Sequence, residues 1–215
     1  MKRTQAGFTL IELAIVLVII GLLLGGVLKG QELINSAKAK SIASDFKNAQ
    51  IFIYGYQDKF RALPGDDAGV VAHVGTGATL ATTGGTVGNA RIDGVWNSTT
   101  LTDESALFWQ HVRLAGLATG PTATGDANYL PRNSDNGRIG VQSMGTGFTT
   151  ITGMTGLYVV CSENIAGRLV KQIDINMDDG NTATGSLRAI VTGTATPVAT
   201  TAIAEGDPYT VCMSF

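Results

Sequence analysis

The chain has 215 residues, with 15 lysines and arginines against 17 aspartates and glutamates, a net charge of −2 and a sequence pI near 5.6. That balance gives no global basic field and argues against nucleic acid as a partner. Charged residues make up only 15% and glycine numbers 28, and β-branched residues recur in short groups between Gly, Asn and Asp, which predicts a loop-rich β domain.

The chain opens on a short basic segment, MKRTQAG, with Lys2 and Arg3. An apolar run of 21 residues follows from Phe8 to Leu28, interrupted by one charge, Glu12. At about 1.5 Å per residue it spans roughly 30 Å as a helix, the thickness of a bilayer's hydrocarbon core. A charged side chain at the centre of such a helix costs about 2.5–3.5 kcal/mol to insert, and less near the end where Glu12 lies. Taken alone, Glu12 is either an interfacial glutamate or a functional one.

The residues around Glu12 favour function. Gly7-Phe8-Thr9-Leu10-Ile11-Glu12 resembles the leader motif of type IV prepilins and the related pseudopilins at every position. The resemblance implies cleavage between Gly7 and Phe8 by a membrane-embedded prepilin peptidase, methylation of the new Phe8 amine by the same enzyme, and assembly through Glu12. It makes residues 1–7 a leader. Lys2 and Arg3 then stay on the cytoplasmic side and the bulk of the chain is exported. About 185 residues remain outside the bilayer, enough for one domain with its own core. An ordinary secretory signal would be cut after the apolar run, where Gly25 and Gly26 supply small residues but no A-x-A pattern follows.

Beyond the membrane segment, Ile42, Phe46, Ala49, Ile53, Tyr56 and Phe60 fall at steps of four and three, one stripe of an amphipathic helix. The N-terminal helix is therefore predicted over 8–60, transmembrane over 8–28 and amphipathic over 29–60. From Phe8 to Lys59 the rod would be about 78 Å long. The stripe is available to bury against the exported domain, while Lys38, Lys40, Asp45 and Lys47 make a wet face. Gly21, Gly25, Gly26 and Gly30 each weaken the helix by about 1 kcal/mol relative to Ala in water and permit close helix packing. Many relatives have a proline beyond the membrane segment. None lies between Met1 and Arg61 here, so local melting in a filament would fall to Gly25 and Gly26, whose alternative role is ordinary packing.

Leu63-Pro64-Gly65-Asp66-Asp67 ends the helix. Residues 70–97 read as a long exposed loop with at most one strand. Thr102 to Ser105 opens a helix that stops at Gly116, with acids at its start and Arg113 at its end. Residues 118–137 read as irregular. Strands are predicted at 139–143, 148–154 and 157–161, a short helix at 165–177, and the last strands at 187–192 and 209–213. The expected fold is α+β: a long membrane-spanning N-terminal helix packed on a C-terminal antiparallel sheet, with residues 61–215 as the exported β-rich domain. The same arrangement belongs to the resembled family.

Cys161 and Cys212 lie beyond the membrane segment and can pair if that side is oxidising; two buried thiols are the alternative. A disulfide near the C-terminus also resembles the bounded region of many type IV pilins. Asp174-Ile-Asn176-Met-Asp178-Asp179-Gly180 approximates the oxygen run of a calcium loop. Its glycine is one position late, however, and Gly185 stands where a closing Glu belongs, so it is not an EF-hand. Some pseudopilins bind calcium in a loop of the sheet region, and Asp178, Asp179 and Asn181 are the candidates here, against a solvated turn. His73 and His111, the two histidines, have no cysteine or carboxylate at a ligand spacing. No G-x-S-x-G, P-loop or dinucleotide fingerprint appears, and the arginines of the exported region are scattered without interleaved aromatics. Neither an enzyme nor a nucleic-acid binder is expected.

The resulting expectation is a structural subunit of a type IV pilus, with a type II secretion pseudopilin and a membrane-tethered periplasmic binding or adhesin domain as alternatives. The family resemblance implies as partners other pilin subunits, the prepilin peptidase and methyltransferase, an inner-membrane assembly platform and the membrane itself. It implies a single-pass precursor in the bacterial inner membrane, with its C-terminal domain periplasmic, and an extracellular filament after assembly. No cofactor beyond calcium is expected.

Overall fold

A computed structural model describes residues 7, 9–145 and 148–215. The leader basics Lys2 and Arg3, and Phe8 with its expected cleavage and methylation, lie outside the described residues. The chain divides into two compact units, Met1–Ala37 and Lys38–Phe215.

The first unit is helical. Helix α1 is assigned over Leu10–Phe60, and its apolar part, free of proline, reaches a mean hydropathy of 2.8 over 18 residues with none of that window buried. Leu10, Leu17, Leu22, Leu24 and Leu28 are all more than half exposed. Further along, Lys29 Nζ meets Glu32 Oε2 at 2.6 Å, an exposed i,i+3 pair that contributes a few tenths of a kcal/mol.

The second unit is an antiparallel four-stranded sheet packed against the later part of α1. Strands β1 (Ile139–Ser143), β2 (Tyr158–Ala166), β3 (Leu187–Val191) and β4 (Pro208–Ser214) take the order β1-β2-β4-β3. Side chains alternate across this sheet as strand geometry requires. One face sends Val141, Val160, Ala189 and Val211 against α1, whose Ala39, Ile42, Phe46, Ala49, Ile53 and Tyr56 are all fully buried. Each large apolar side chain on that stripe stabilises the fold by about 1.5–3 kcal/mol through its burial. The other face carries a smaller cluster in which Val159, Cys161, Ile190 and Cys212 meet Trp96, Met144 and Ile151.

The face expected to stay wet is only partly so. Lys40 and Lys47 are exposed, but Lys38 Nζ reaches Asp135 Oδ1 at 2.6 Å. Asp45 is half-buried, and loss of solvent pushes its carboxyl up to about 6. Phe60, at the end of the stripe, is only partly buried.

Helix α3 (Glu104–Leu114) follows its N-cap Asp103, and Gly116, at φ +76°, marks the stop. Helix α4 (Gly167–Met177) starts later than the expected 165, because Ile165 and Ala166 still pair with Tyr209 and Pro208 beyond an irregularity after Ser162. Residues 148–154 form turns, not a strand. Phe148 donates its N–H to Gly145 at 3.1 Å, and Phe148, Ile151 and Met154 lie over the second face of the sheet, so the apolar residues there cover a face and do not extend an edge. The stretch 70–97 holds a one-turn helix, α2 (Val70–Val74), and a bridge between Thr83 and Asp103. A 3-10 turn at Thr200–Ala202 had no signal in the sequence.

Candidate functional site

Gly7 is exposed, and a side chain there would meet nothing within 4 Å among the described residues. Thr9 and Glu12 begin the helix together. The Thr9 amide and hydroxyl both donate to Glu12 Oε2, at 2.8 and 2.7 Å, and the Glu12 amide approaches the Thr9 hydroxyl oxygen at 3.3 Å. This is a capping box, the reciprocal satisfaction of amides that a helix start leaves free. The spacing T-x-x-E stood in the sequence as its signal. Glu12 thus has a local partner at the head of an exposed apolar helix surface.

Cys161 and Cys212 are disulfide-bonded. They are register partners on the two central strands, β2 and β4, and both are fully buried. Their bond ties the C-terminal strand into the sheet.

The two histidines differ in solvent access but flank one buried tyrosine. Tyr56 donates its hydroxyl to Asp67 Oδ2 at 2.7 Å, and the ring of His73 meets the same oxygen through Nδ1 at 2.7 Å. Burial, reinforced by that aspartate, raises the Tyr56 phenol well above its ordinary value. His111 stacks on Tyr56. Its Nδ1 accepts the Gly65 amide at 2.9 Å and its Nε2 lies 2.9 Å from the Thr79 carbonyl. That pattern requires the neutral imidazole with the proton on Nε2, and burial lowers its affinity for a second proton. A carboxylate partner for His73 was thus present in the sequence, six residues earlier. The Tyr56 network is a latch between the end of α1 and the loop after it.

Asp66 accepts amide protons from Gly88, Asn89 and Arg91, the last two at 3.2 Å. Nearby, Glu104 is fully buried; its Oε2 accepts the Asp93 amide at 2.8 Å, while Oε1 has no partner among the described residues. Burial first, and then the charges of Asp66, Asp93 and Asp103, push the Glu104 carboxyl up to about 7 against the pull of the Asp93 amide.

At the end of α4 the structure brings Asp178 and Asp179 together with Asp174, one carboxylate oxygen from each lying within 4.8 Å of the others. Asn181 belongs to its own turn: its amide donates to Asp179 Oδ1 at 2.8 Å and its side-chain oxygen accepts the Ala183 amide at 3.3 Å. Asp174 is pushed up to about 6 by burial and by the neighbouring Asp179 and Asp178. Hydrogen bonds from Thr184 and Asn181 hold Asp179 below the usual range. Of the expected candidates Asp178 and Asp179 lie in this cluster, and Asp174, which opens the run in the sequence, stands there in place of Asn181. Asp178 is the C-cap of α4, and its amide donates to the Asp174 carbonyl at 2.7 Å.

The described residues thus combine an apolar helix long enough to cross a membrane, with an acid at its head, and an α+β unit. The family model described as the prokaryotic N-terminal methylation motif matches residues 2–28, an N-terminus of the prepilin type that is consistent with the type IV pilins and pseudopilins. No curated protein and no solved structure matches this chain.

Proposed function

We propose that the protein is a structural, non-catalytic subunit of a type IV pilus, cut between Gly7 and Phe8, methylated on Phe8 and polymerised through α1. The observation that carries this reading is the methylation motif over residues 2–28, set on a helix whose apolar surface is bare. Once the leader is removed, the Phe8 amine becomes a cation at the head of the helix. In a low-dielectric bundle of such helices, an unpaired carboxylate is strongly disfavoured, so Glu12 of one subunit exchanges its Thr9 contacts for the terminal amine of another and sets the axial register. The positive charges of Lys2 and Arg3 support an orientation with the leader in the cytoplasm and the Lys38–Phe215 unit outside it. The buried disulfide fits an oxidising compartment and tilts the choice from pseudopilin toward pilin.

Intact mass spectrometry of the mature chain tests the processing, and electron microscopy of sheared surface material tests the assembly. The expected result is an N-terminus at Phe8 bearing one methyl group, in filaments. A product that retains Met1, or is cut beyond Val27, overturns the reading.

A further inference from the structure

Within the Lys38–Phe215 unit, α1 buries one side and leaves the other uncovered. Lys40, Ser44, Lys47, Ile51 and Tyr54 recur at steps of four and three on the face opposite the buried stripe, and all five are exposed. Ile51 keeps 59% of its surface, and Tyr54 is half exposed. Tyr54 meets Phe215 edge-on, with ring centroids 6.1 Å apart, and the Phe215 carbonyl accepts the amide of the exposed Leu157 at 2.9 Å. The result is an apolar patch with Lys40 and Lys47 on the helix beside it, and neither lysine has an ion pair among the described residues.

The end of α4 carries the opposite charge beside the same kind of surface. Ile175, in the last turn, keeps 67% of its surface. Asp178 and Asp179 follow, and that turn holds no basic residue. Asp178 Oδ2 accepts the Leu187 amide at 2.7 Å, and Asp179 accepts the Asn181 amide at 2.8 Å and the Thr184 hydroxyl at 2.6 Å. Those bonds shape the turn into β3 and leave the negative charges in place. Arg188 is near enough to act on Asp179, but its guanidinium is directed to the carbonyls of Gly185 and Thr152, each at 3.2 Å. One exposed isoleucine is ordinary on a protein surface. An isoleucine flanked by acids, on the same chain as an isoleucine and a tyrosine flanked by lysines, makes a complementary pair of surfaces.

We propose that these two surfaces dock on each other between copies of the chain: the Lys40, Lys47, Ile51 and Tyr54 face of one subunit receives Ile175, Asp178 and Asp179 of the next. Ile175 covers Ile51 and Tyr54 and removes them from water, while the lysines and aspartates meet at the rim. Exposed ion pairs contribute little each, so the apolar contact holds the subunits and the charges select the partner surface. Like charges disfavour the meeting of two α1 faces or of two α4 ends. Because unlike patches meet, the contact is heterologous: every subunit that joins leaves one face and one α4 end free, and addition continues beyond the dimer. This docking rests on the subunit reading of the chain and is separate from the packing of the apolar helices.

The two cysteines of the chain are both in the buried disulfide, so introduced cysteines are its only free thiols. Ile51→Cys and Ile175→Cys are combined in one chain, and sheared filaments are treated with a short bis-maleimide and separated by size after denaturation. The double variant should give dimers, trimers and longer species, and either single variant should give monomer alone. Filaments of the double variant without cross-links overturn the docking, as do products that stop at the dimer or cross-links in a single variant. In parallel, Lys47→Glu and Asp179→Lys should each lower incorporation into filaments about tenfold, and together restore it to within a fewfold of wild type. Melting of each variant separates a misfolded turn at Asp179 from a lost contact. Equal loss in the singles and the pair, with melting unchanged, overturns the charge pairing. Absence of filaments from the wild-type chain overturns the subunit reading and the docking together, whereas filaments that lack the Ile51 to Ile175 cross-link overturn the docking alone.

Discussion

Glu12 takes two hydrogen bonds from Thr9, one from its amide at 2.8 Å and one from its hydroxyl at 2.7 Å, and so caps the helix that it also charges. Cap and charge can be separated by substitution. Glu12→Gln keeps a side-chain oxygen at the third helical position and removes the charge; Thr9→Ala removes the hydroxyl, at about 1 kcal/mol of helix stability, and keeps the charge. If the carboxylate pairs with another subunit's terminal amine, Glu12→Gln is processed normally but lost from sheared filaments, and Thr9→Ala is incorporated within a fewfold of wild type. Quantifying processed and sheared protein for both variants decides it, and equal loss in the two would assign Glu12 to the cap alone.

The Cys161–Cys212 bond joins strands that are already register partners, and its sequence separation is 51. Closing a loop of that size stabilises the folded state by about 4 kcal/mol in the chain-entropy treatment. The double substitution to Ala should therefore lower the melting temperature by about 8–16 °C. Because both sulfurs are buried, reductant should act at a rate set by opening of the sheet. Thermal melts and timed thiol labelling check the two parts, and prompt reduction under native conditions would contradict the second.

Glu104 gives stability a pH dependence of defined sign. Its carboxyl, pushed up to about 7 in the folded chain by burial, titrates at 4.5 when unhindered. Between those values the folded chain holds a proton that the unfolded chain has released, so its contribution to stability falls as pH rises from 4.5 to 7 and is level above. The change is on the order of 3 kcal/mol. Asp45 and Asp174, each raised to about 6, act in the same direction. His111, buried and neutral, acts oppositely below 6.5. Comparing Glu104→Gln with wild type isolates the one group: the variant should gain stability at pH 8 relative to its difference at pH 4.5. Urea midpoints at the two values measure this, and a difference that does not change with pH removes Glu104 as its source.

What could be read from the sequence was what depends on short-range period. The stripe from Ile42 to Tyr56 and the strands at 139–143, 187–192 and 209–213 were legible because helix and strand impose their spacings on neighbouring side chains. The misreading at 148–154 has the same origin: Phe148, Ile151 and Met154 are apolar because they cover a sheet face, and apolar character alone does not distinguish covering from pairing. Asp174 lay within the expected helix at 165–177 and was passed over in favour of Asn181, whereas the end of α4 sets its carboxylate beside those of Asp178 and Asp179. The contact of the Gly65 amide with His111, 46 residues away, and the crowding of Glu104 by Asp66 and Asp93 have no local signature at all. Tertiary packing makes both, and no window of sequence contains them.

Two glycines should respond oppositely to the same substitution. Gly140 sits on β1 opposite Cys161, and a Cβ built there would collide with the backbone carbonyl of Trp96. That carbonyl belongs to a segment fixed to β1 by the bond from the Trp96 amide to Gln142 Oε1 at 2.8 Å. A flexible side chain could move aside, but backbone held on both sides cannot. Gly140→Ala should therefore cost about 1–3 kcal/mol or more through overpacking. Gly25, on the exposed part of α1, meets nothing within 4 Å. Gly25→Ala should leave the melting of the Lys38–Phe215 unit unchanged and strengthen the helix by about 1 kcal/mol in water. Melting curves followed through the tryptophans, both of which lie in that unit, report the first effect. Helical circular dichroism of the full chain in detergent reports the second. If filament assembly requires the helix to loosen at Gly25, the more stable helix should incorporate less well, whereas unchanged incorporation would leave Gly25 as a packing position.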